Sequence, residues 1–426
     1  MTMFFGAFAV FILLGIPIAL SLGIACMVLL WGTGNFQLMS AFPRYMAAGL
    51  DQFLLLSIPL FVLTGSLMSR GRITERIVLL AQALVGRIPG GLSMVGVSTC
   101  MFFGSAATAT SEAAAVGSVM IPAMERSGYP RDYAAALIAV ASLMGSIIPP
   151  AISMIIFGAL TGTSIASLFL AGIVPGVLIG LGLMGYAYWQ ALRHGYPVSD
   201  RMAWRDRLDA VAGAFPAAML PVIILGGILS GVFTPTESAG VAVLYALFLA
   251  GAVYRNLTWR DIYDALWETA FLTAGIMIVV AMANMVGFVF AIEGVAEAIA
   301  KVMLGISDNR YVLLLLINIM LLLLGMFLEP ISIMILILPV LKVVAASIGL
   351  DPVHLGTIVV LNIVIGLVTP PVGMCLFITS AISHVRIEDI SRRALPMIGI
   401  CLAVLALVTY VPQVSLYLPS LYVSSR

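Results

Sequence analysis

GSIIPP, residues 145–150, and GLVTPP, residues 366–371, decide how this chain folds. Each interrupts a long apolar run: LMGSIIPPAISMII from Leu143 to Ile156, and VIGLVTPPVGMCLF from Val364 to Phe377. Proline removes a backbone donor and its ring clashes with the preceding turn, so two in a row force an unwound stretch. At membrane depth such backbone survives only where it is buried in protein or lines a wet cavity. A matching pair of Gly/Pro breaks in two halves is the sequence pointer to the midplane site of a secondary transporter.

Outward from these breaks the chain repeats itself. Pro149 and Pro370 stand 221 residues apart, as do Gly128 and Gly349. Pro17 and Pro235 are 218 apart; Glu112 and Glu329, and Pro122 and Pro339, are 217 apart. The change from 217 to 221 asks for an insertion of four residues near Lys342 to Ser347. Glu112 sits between FFGSAATATS and AAAVGSVMIP, and Glu329 within LLLLGMFLEPISIMILILP. Apolar stretches too short to span flank each acid, which is the pattern of a re-entrant hairpin. The expected fold is therefore an all-α integral membrane protein of two inverted repeats, each with one hairpin and one Pro-broken helix. The repeats run 1–192 and 213–426, around a cytoplasmic connection at 193–212. The hairpins fall at about 93–125 and 311–342, the broken helices at about 131–162 and 352–382.

Composition agrees. The 426 residues are 62% hydrophobic and 9% charged, against about 25% charged in soluble domains. Lipid must be the solvent for most of this surface. The net charge of +1 offers no field to gather nucleic acid. Cys26, Cys100, Cys375 and Cys401 lie inside apolar runs, and His194, His354 and His384 are scattered, so neither a disulfide framework nor a transition-metal site is expected. Met3 to Trp31 is too long for a signal-peptide core and reads as a retained first membrane segment.

Basic clusters orient membrane chains. Arg193, Arg201, Arg205 and Arg207, then Arg386, Arg392 and Arg393, then Arg126 and Arg131 are all placed on the cytoplasmic side. The first-half counterpart of the Arg386 loop, SIASLFLAG near Ile165, carries no charge. That asymmetry implies inverted halves with both termini periplasmic. Arg70, Arg72 and Arg76 fit the scheme poorly and suit an interfacial helix.

Ionisable residues within membrane segments are rare and usually functional. Glu112, Glu237 and Glu329 are the cases here, read either as attracting cations and locking hairpins, or as capping half-helix N-termini where the dipole favours negative charge. The first hairpin tip offers hydroxyls at Ser105, Thr108, Thr110 and Ser111. Across from it the unwound stretch exposes the Gly145 and Ser146 carbonyls. Gly325, Met326, Gly366 and Thr369 are the second-half candidates. Sodium, a hard cation, suits such oxygens by analogy with other hard cations. The competing account is helix packing through small residues. Half-helix N-termini can bind a carboxylate without a cationic side chain, and no midplane arginine is evident. No Walker A sequence, HExxH or Ser/His/Asp constellation is present, which speaks against direct ATP coupling and against an enzyme.

Five stretches carry a family resemblance: SIPLFVLTGSLM (Ser57 to Met68), FGSAATATSEAAAVGSVMIPAM (Phe103 to Met124), GSIIPPAISMIIFGALTGTSI (Gly145 to Ile165), GVFTPTESAGVAVLYAL (Gly231 to Leu247) and GLVTPPVGMCLFITSAI (Gly366 to Ile382). In these the chain resembles the large, DctM-type membrane subunit of tripartite ATP-independent periplasmic (TRAP) transporters. The resemblance implies an elevator-type ion transporter-like fold in the bacterial inner membrane, with Na⁺ as coupling ion and no other cofactor. It implies a small four-helix DctQ-type membrane subunit on a separate chain and a periplasmic DctP-type binding protein as partners. Substrates would be organic anions such as C4-dicarboxylates or sialic acid. Its sodium sites map to Ser105, Thr108, Gly145, Ser146 and Pro149, and to Gly325, Met326, Gly366 and Thr369. The alternatives are a stand-alone sodium/organic-anion symporter, an intramembrane enzyme and a channel. The His positions offer no nucleophile–base pair for the enzyme, and paired hairpins favour alternating access over a channel.

Overall fold

The computed structural model describes residues 2–103, 108–196, 203–307 and 309–424; among them there is no strand. The first half contains α1 (Thr2–Leu13), α2 (Ile18–Gly32), α3 (Phe42–Leu50), α4 (Ser57–Arg70), α5 (Ile73–Val85), α6 (Gly91–Phe103), α7 (Ala109–Arg126), α8 (Arg131–Ala141), α9 (Ile152–Thr161) and α10 (Ile165–His194). The second contains α11 (Trp204–Leu229), α12 (Pro235–Phe248), α13 (Trp259–Ile292), α14 (Val295–Ile306), α15 (Arg310–Gly325), α16 (Pro330–Ser347), α17 (Pro352–Gly366), α18 (Met374–Ser383), α19 (Ile387–Tyr410) and α20 (Gln413–Ser424). The order repeats, with α13 replacing the broken pair α3 and α4. Each half has a hairpin (α6–α7, α15–α16), a broken helix (α8–α9, α17–α18) and a long closing helix (α10, α19).

Seven helical stretches among the described residues are long and apolar enough to cross a membrane. The four half-helices of the broken pairs are not: at 1.5 Å per residue, even the 15 residues of α17 reach only about 22 Å of a core about 30 Å thick. Of the hairpin arms, α16 does qualify by length and composition. The short amphipathic α5 and α14 precede the hairpins. α5 buries Ile73, Ile77, Leu80 and Ala81 and exposes Glu75 and Arg76.

Contacts at the helix ends fix the direction of each half. At one end, Tyr196 after α10 packs on Tyr129 and Tyr133, ring centroids 4.6 and 5.6 Å away, so the first hairpin closes there. Arg393 of α19 bonds Asp132 of α8 at the same end (2.7 Å). Arg207 of α11 donates to the Ala83 carbonyl of α5 (3.0 Å). Arg76 stacks over Tyr254 beyond α12 (5.5 Å). At the far end, Thr33 and Asn35 beyond α2 donate to Glu293 beyond α13 (2.9 and 2.8 Å), and Tyr311 of α15 faces Tyr410 of α19 (6.1 Å). α2 therefore runs away from the basic end while its counterpart α12 runs toward it, and the two hairpins enter from opposite ends. The halves are inverted. Arg70, Arg72 and Arg76 do not break the charge pattern, because α5 lies against the N-terminal part of α11, at the same end as the other arginines.

The register of the repeat differs from the sequence-based spacing. Thr108 is the N-cap of α7 and Glu329 the N-cap of α16, 221 residues apart like the Pro-Pro pairs, so no four-residue insertion is needed. Glu112 lies inside α7, with Ile333 as its counterpart, and the two acids are not equivalent. Pro122 and Pro339 fall at different places in their helices. Proline inside a membrane helix is tolerated wherever neighbours satisfy the freed carbonyl, so these two prolines carry no register.

The halves are interlocked. α7 packs on α8 and on α18 of the other half, and α16 packs on α9 and α17. A buried ladder pins the second hairpin: Asn362 of α17 donates to Asn318 of α15 (2.6 Å), and Asn318 donates to Thr409 of α19 (3.0 Å). Around this body, α4 packs on α12 and α13, and α2 and α3 on α13.

Candidate functional site

The two hairpin tips and the two unwound stretches meet at one cavity of about 1340 Å³. One wall holds the N-termini of α7 (Thr108, Ala109, Thr110, Ser111) and α16 (Glu329, Pro330, Ile331, Ser332), with Ser146 and Leu367 from the unwound stretches. The other wall is α4 (Val62, Gly65, Ser66, Ser69, Arg70), α13 from Trp267 to Val279, and the start of α2. Two helix N-termini thus turn their positive dipole ends toward one space, as an anion site requires.

At the first tip, Thr108 accepts from the Ser111 N–H (3.3 Å) and its hydroxyl lies 3.0 Å from that of Thr110 and 2.9 Å from that of Ser111. The Ala109 N–H donates to the Ser146 hydroxyl (3.1 Å), which ties the hairpin to the unwound stretch. Thr108 and Ser146 line the cavity; Gly145 and Pro149 are buried behind it. Ser105 lies outside the described residues.

At the second tip, Gly325 meets Gly366. A Cβ on Gly366 would stand 2.5 Å from the Gly325 Cα and carbonyl carbon and 2.6 Å from its oxygen. Only glycine permits this approach of hairpin to unwound backbone. Met326 follows as the C-cap of α15. Thr369 donates its hydroxyl to the Ile365 carbonyl (2.8 Å), so its oxygen keeps lone pairs as acceptors. Gly325, Met326, Gly366 and Thr369 do not line the cavity; the tip's cavity face is Glu329 to Ser332, with Leu367 beside it.

The three acids separate. Glu237 closes a capping box with Thr234 at the start of α12, with Oε2 accepting from the Thr234 N–H at 2.8 Å. It is exposed and does not line the cavity, so the capping account holds for it. Glu329 lines the cavity from the N-cap of α16 and makes no capping hydrogen bond. Glu112 is fully buried, and among the described residues neither carboxyl oxygen meets a partner in hydrogen-bond geometry. Its polar neighbours are the Cys100 thiol and the Gly145 peptide, with Cys375 of the other half nearby.

The sequence reading missed the scaffold wall. Arg70 lines the cavity and pairs with Glu268 (Nη2 to Oε2, 3.2 Å) and Asp264 (Nη1 to Oδ2, 3.5 Å) of α13. A signal was present: Asp264 and Glu268, one helical turn apart, carry charge beyond the first turn of a long, largely apolar helix. The formal charges lining the cavity are Arg70 against Glu268 and Glu329, a net of one negative.

Residues 5–414 match the family described as "Tripartite ATP-independent periplasmic transporter, DctM component". The chain is 40% identical over 413 residues to the sialic acid TRAP transporter large permease protein SiaM of Vibrio cholerae, covering 96% of both. It is 41% identical over 371 residues to the C4-dicarboxylate TRAP transporter large permease protein DctM of Pseudomonas aeruginosa, covering 87% of both. It is 38% identical to the isethionate TRAP transporter permease protein DctMQ of Oleidesulfovibrio alaskensis, where 97% of this chain spans 65% of that protein. Among solved structures it resembles the YdaH transporter of Alcanivorax borkumensis, with a TM-score of 0.65 at 14% identity over 88% of both chains. It also resembles MtrF of Neisseria gonorrhoeae, with a TM-score of 0.60 at 12% identity over 89% of this chain and 85% of that one. These structural likenesses speak to fold alone.

Proposed function

Because the chain belongs to the DctM component family of tripartite ATP-independent periplasmic transporters, and so is a transport permease rather than an enzyme, we propose that it imports small organic anions by sodium symport. The carrying observation is the cavity itself. Two half-helix N-termini and two unwound stretches converge on it, yet its side chains sum to a negative charge. An anion entering such a space is repelled until cations enter with it, and the oxygen-rich tips beside it are suited to hold sodium. Helix dipoles then face the substrate's acid group. The relatives named for sialic acid, C4-dicarboxylates and isethionate set the substrate class as small carboxylates or sulfonates.

The further parts of this reading are a DctP-type periplasmic binding protein that delivers substrate, a DctQ-type small subunit, and an inner-membrane location. With the arginine-rich end cytoplasmic, both termini are periplasmic. Arg70 stands just before the basic Arg72 and Arg76, so the cavity reaches toward the cytoplasmic end in this reading. The interlocked hairpins and broken helices form the body that slides, elevator-fashion, against α2, α4 and α13.

Reconstitution into proteoliposomes tests this. Uptake of a matching organic anion is expected to need both an inward sodium gradient and the binding protein. Uptake by this chain without a binding protein would replace the tripartite reading with a stand-alone symporter, and uptake indifferent to sodium would reject symport. Thr369→Val and Ser146→Ala should each raise the sodium concentration for half-maximal uptake by roughly tenfold, the effect of losing about 1.4 kcal/mol of ligation. Unchanged sodium dependence in both variants would remove these residues from the ion sites.

A further inference from the structure

We infer that Arg70 receives the substrate's acid group on the stationary wall of the cavity, and that Glu268 and Ser66 form the exchange partner that lets it go. The inference rests on the transport reading above and adds a site to it. Arg70 ends α4 with about a third of its side chain exposed (31%). Its Nη1 and Nη2 are held by Asp264 and Glu268. Its Nε is buried and has no hydrogen-bond partner among the described residues. A guanidinium presents five N–H donors in a flat fork that matches a carboxylate or sulfonate edge-on. Here the fork is only partly used, and it lines a cavity that no other arginine or lysine lines among the described residues.

Glu268 is built to be displaced. The same Oε2 that accepts from Arg70 also accepts from the Ser66 hydroxyl at 2.8 Å. When an incoming oxyanion takes Nη2, Glu268 moves off the guanidinium but keeps the Ser66 donor, and the released fork can turn its buried Nε toward the anion. One oxyanion replaces another on the same fork, and Asp264 still holds Nη1. A guanidinium with no competing carboxylate would hold an oxyanion through charge-assisted bonds roughly twice as strong as neutral ones. Competition from Glu268 sets a weaker hold, as a site used in passing needs. Since Arg70 lies at the basic end, the substrate would meet it on leaving the hairpin tips.

The test is thermal unfolding of the purified full chain at constant sodium, titrated with succinate, N-acetylneuraminate or isethionate in place of chloride. For whichever anion stabilises the wild-type chain, Arg70→Gln should raise the half-maximal concentration roughly tenfold or more, with Arg70→Lys between, since a charge-assisted bidentate contact is lost. Glu268→Gln should lower it several-fold, because the competing carboxylate is gone. Unfolding in sodium chloride alone checks that the variants fold. An Arg70→Gln chain that folds and responds to the anion like wild type overturns the inference while leaving the transport reading intact. If none of the three anions stabilises the wild-type chain, the anion-transport reading falls, and this inference with it.

Discussion

Replacing Gly366 with alanine is expected to abolish sodium-driven uptake. The new Cβ would stand 2.5 Å from the backbone of Gly325, and backbone cannot turn aside as a side chain can. The second hairpin tip must back away from the unwound stretch. That parts Gly325 and Met326 from Thr369, the oxygens proposed to share one ion. Overpacking of this kind costs about 1–3 kcal/mol, so the chain should still fold, held by the Asn362–Asn318–Thr409 ladder. The loss should fall on ion binding: sodium-dependent stabilisation reduced roughly tenfold or more in affinity, with uptake at background. Gly325→Ala should be milder, because its Cβ would meet the Gly366 Cα at 3.1 Å and the Ile363 carbonyl oxygen at 3.4 Å. Uptake and thermal unfolding across a sodium series measure both. A Gly366→Ala chain with wild-type sodium affinity would show that this junction is packing and nothing more.

The parts of this protein legible in its sequence are those written in backbone chemistry. Paired prolines declare an unwound stretch whatever surrounds them, so residues 149–150 and 370–371 marked the break in each half. The Thr-Pro-Thr-Glu run at 234–237 declares a capping box in the same local way. Register was less legible. Glu112 and Glu329 each sit between short apolar stretches, and only the N-cap positions of Thr108 and Glu329 show that the acids are not counterparts. The scaffold wall was not legible. Arg70 at the end of one apolar helix and Glu268 within another are 198 residues apart, and no period or spacing links them. Their pairing exists only once α4 lies against α13. Charge orientation fell between these cases: the arginines of α5 looked misplaced because a chain-order argument cannot see α5 lying beside α11.

Replacing Glu112 should produce the opposite signature from most buried substitutions: a chain as stable as wild type, or more so, that no longer responds normally to sodium. Its carboxyl is wholly buried, and among the described residues both oxygens lack a partner in hydrogen-bond geometry, with the Cys100 thiol and the Gly145 peptide only nearby. A buried group left in that condition costs about 1–3 kcal/mol, so Glu112→Met, which keeps the side chain's length and removes the oxygens, should hold or raise the unfolding temperature in sodium-free buffer. A carboxyl serving only as a helix cap could not behave so, and Glu112 makes no cap: Thr108 does that for α7. What the acid does have is position. It lies beside Gly145, behind the first tip, where a cation at the tip would favour the ionised carboxylate and be held by it in turn. Its counterpart Ile333 is apolar; the second tip carries its acid at the N-cap instead, as Glu329 facing the cavity, so the two ion sites should differ in strength. Glu112→Met and Glu112→Gln are therefore expected to weaken sodium-dependent stabilisation roughly tenfold while leaving the second site's response. Sodium titrations of unfolding temperature, run beside uptake, separate the cases. If both variants keep wild-type sodium affinity, the carboxyl plays no part in holding the ion. If they lose stability instead, it has a partner within the hairpin that makes it structural.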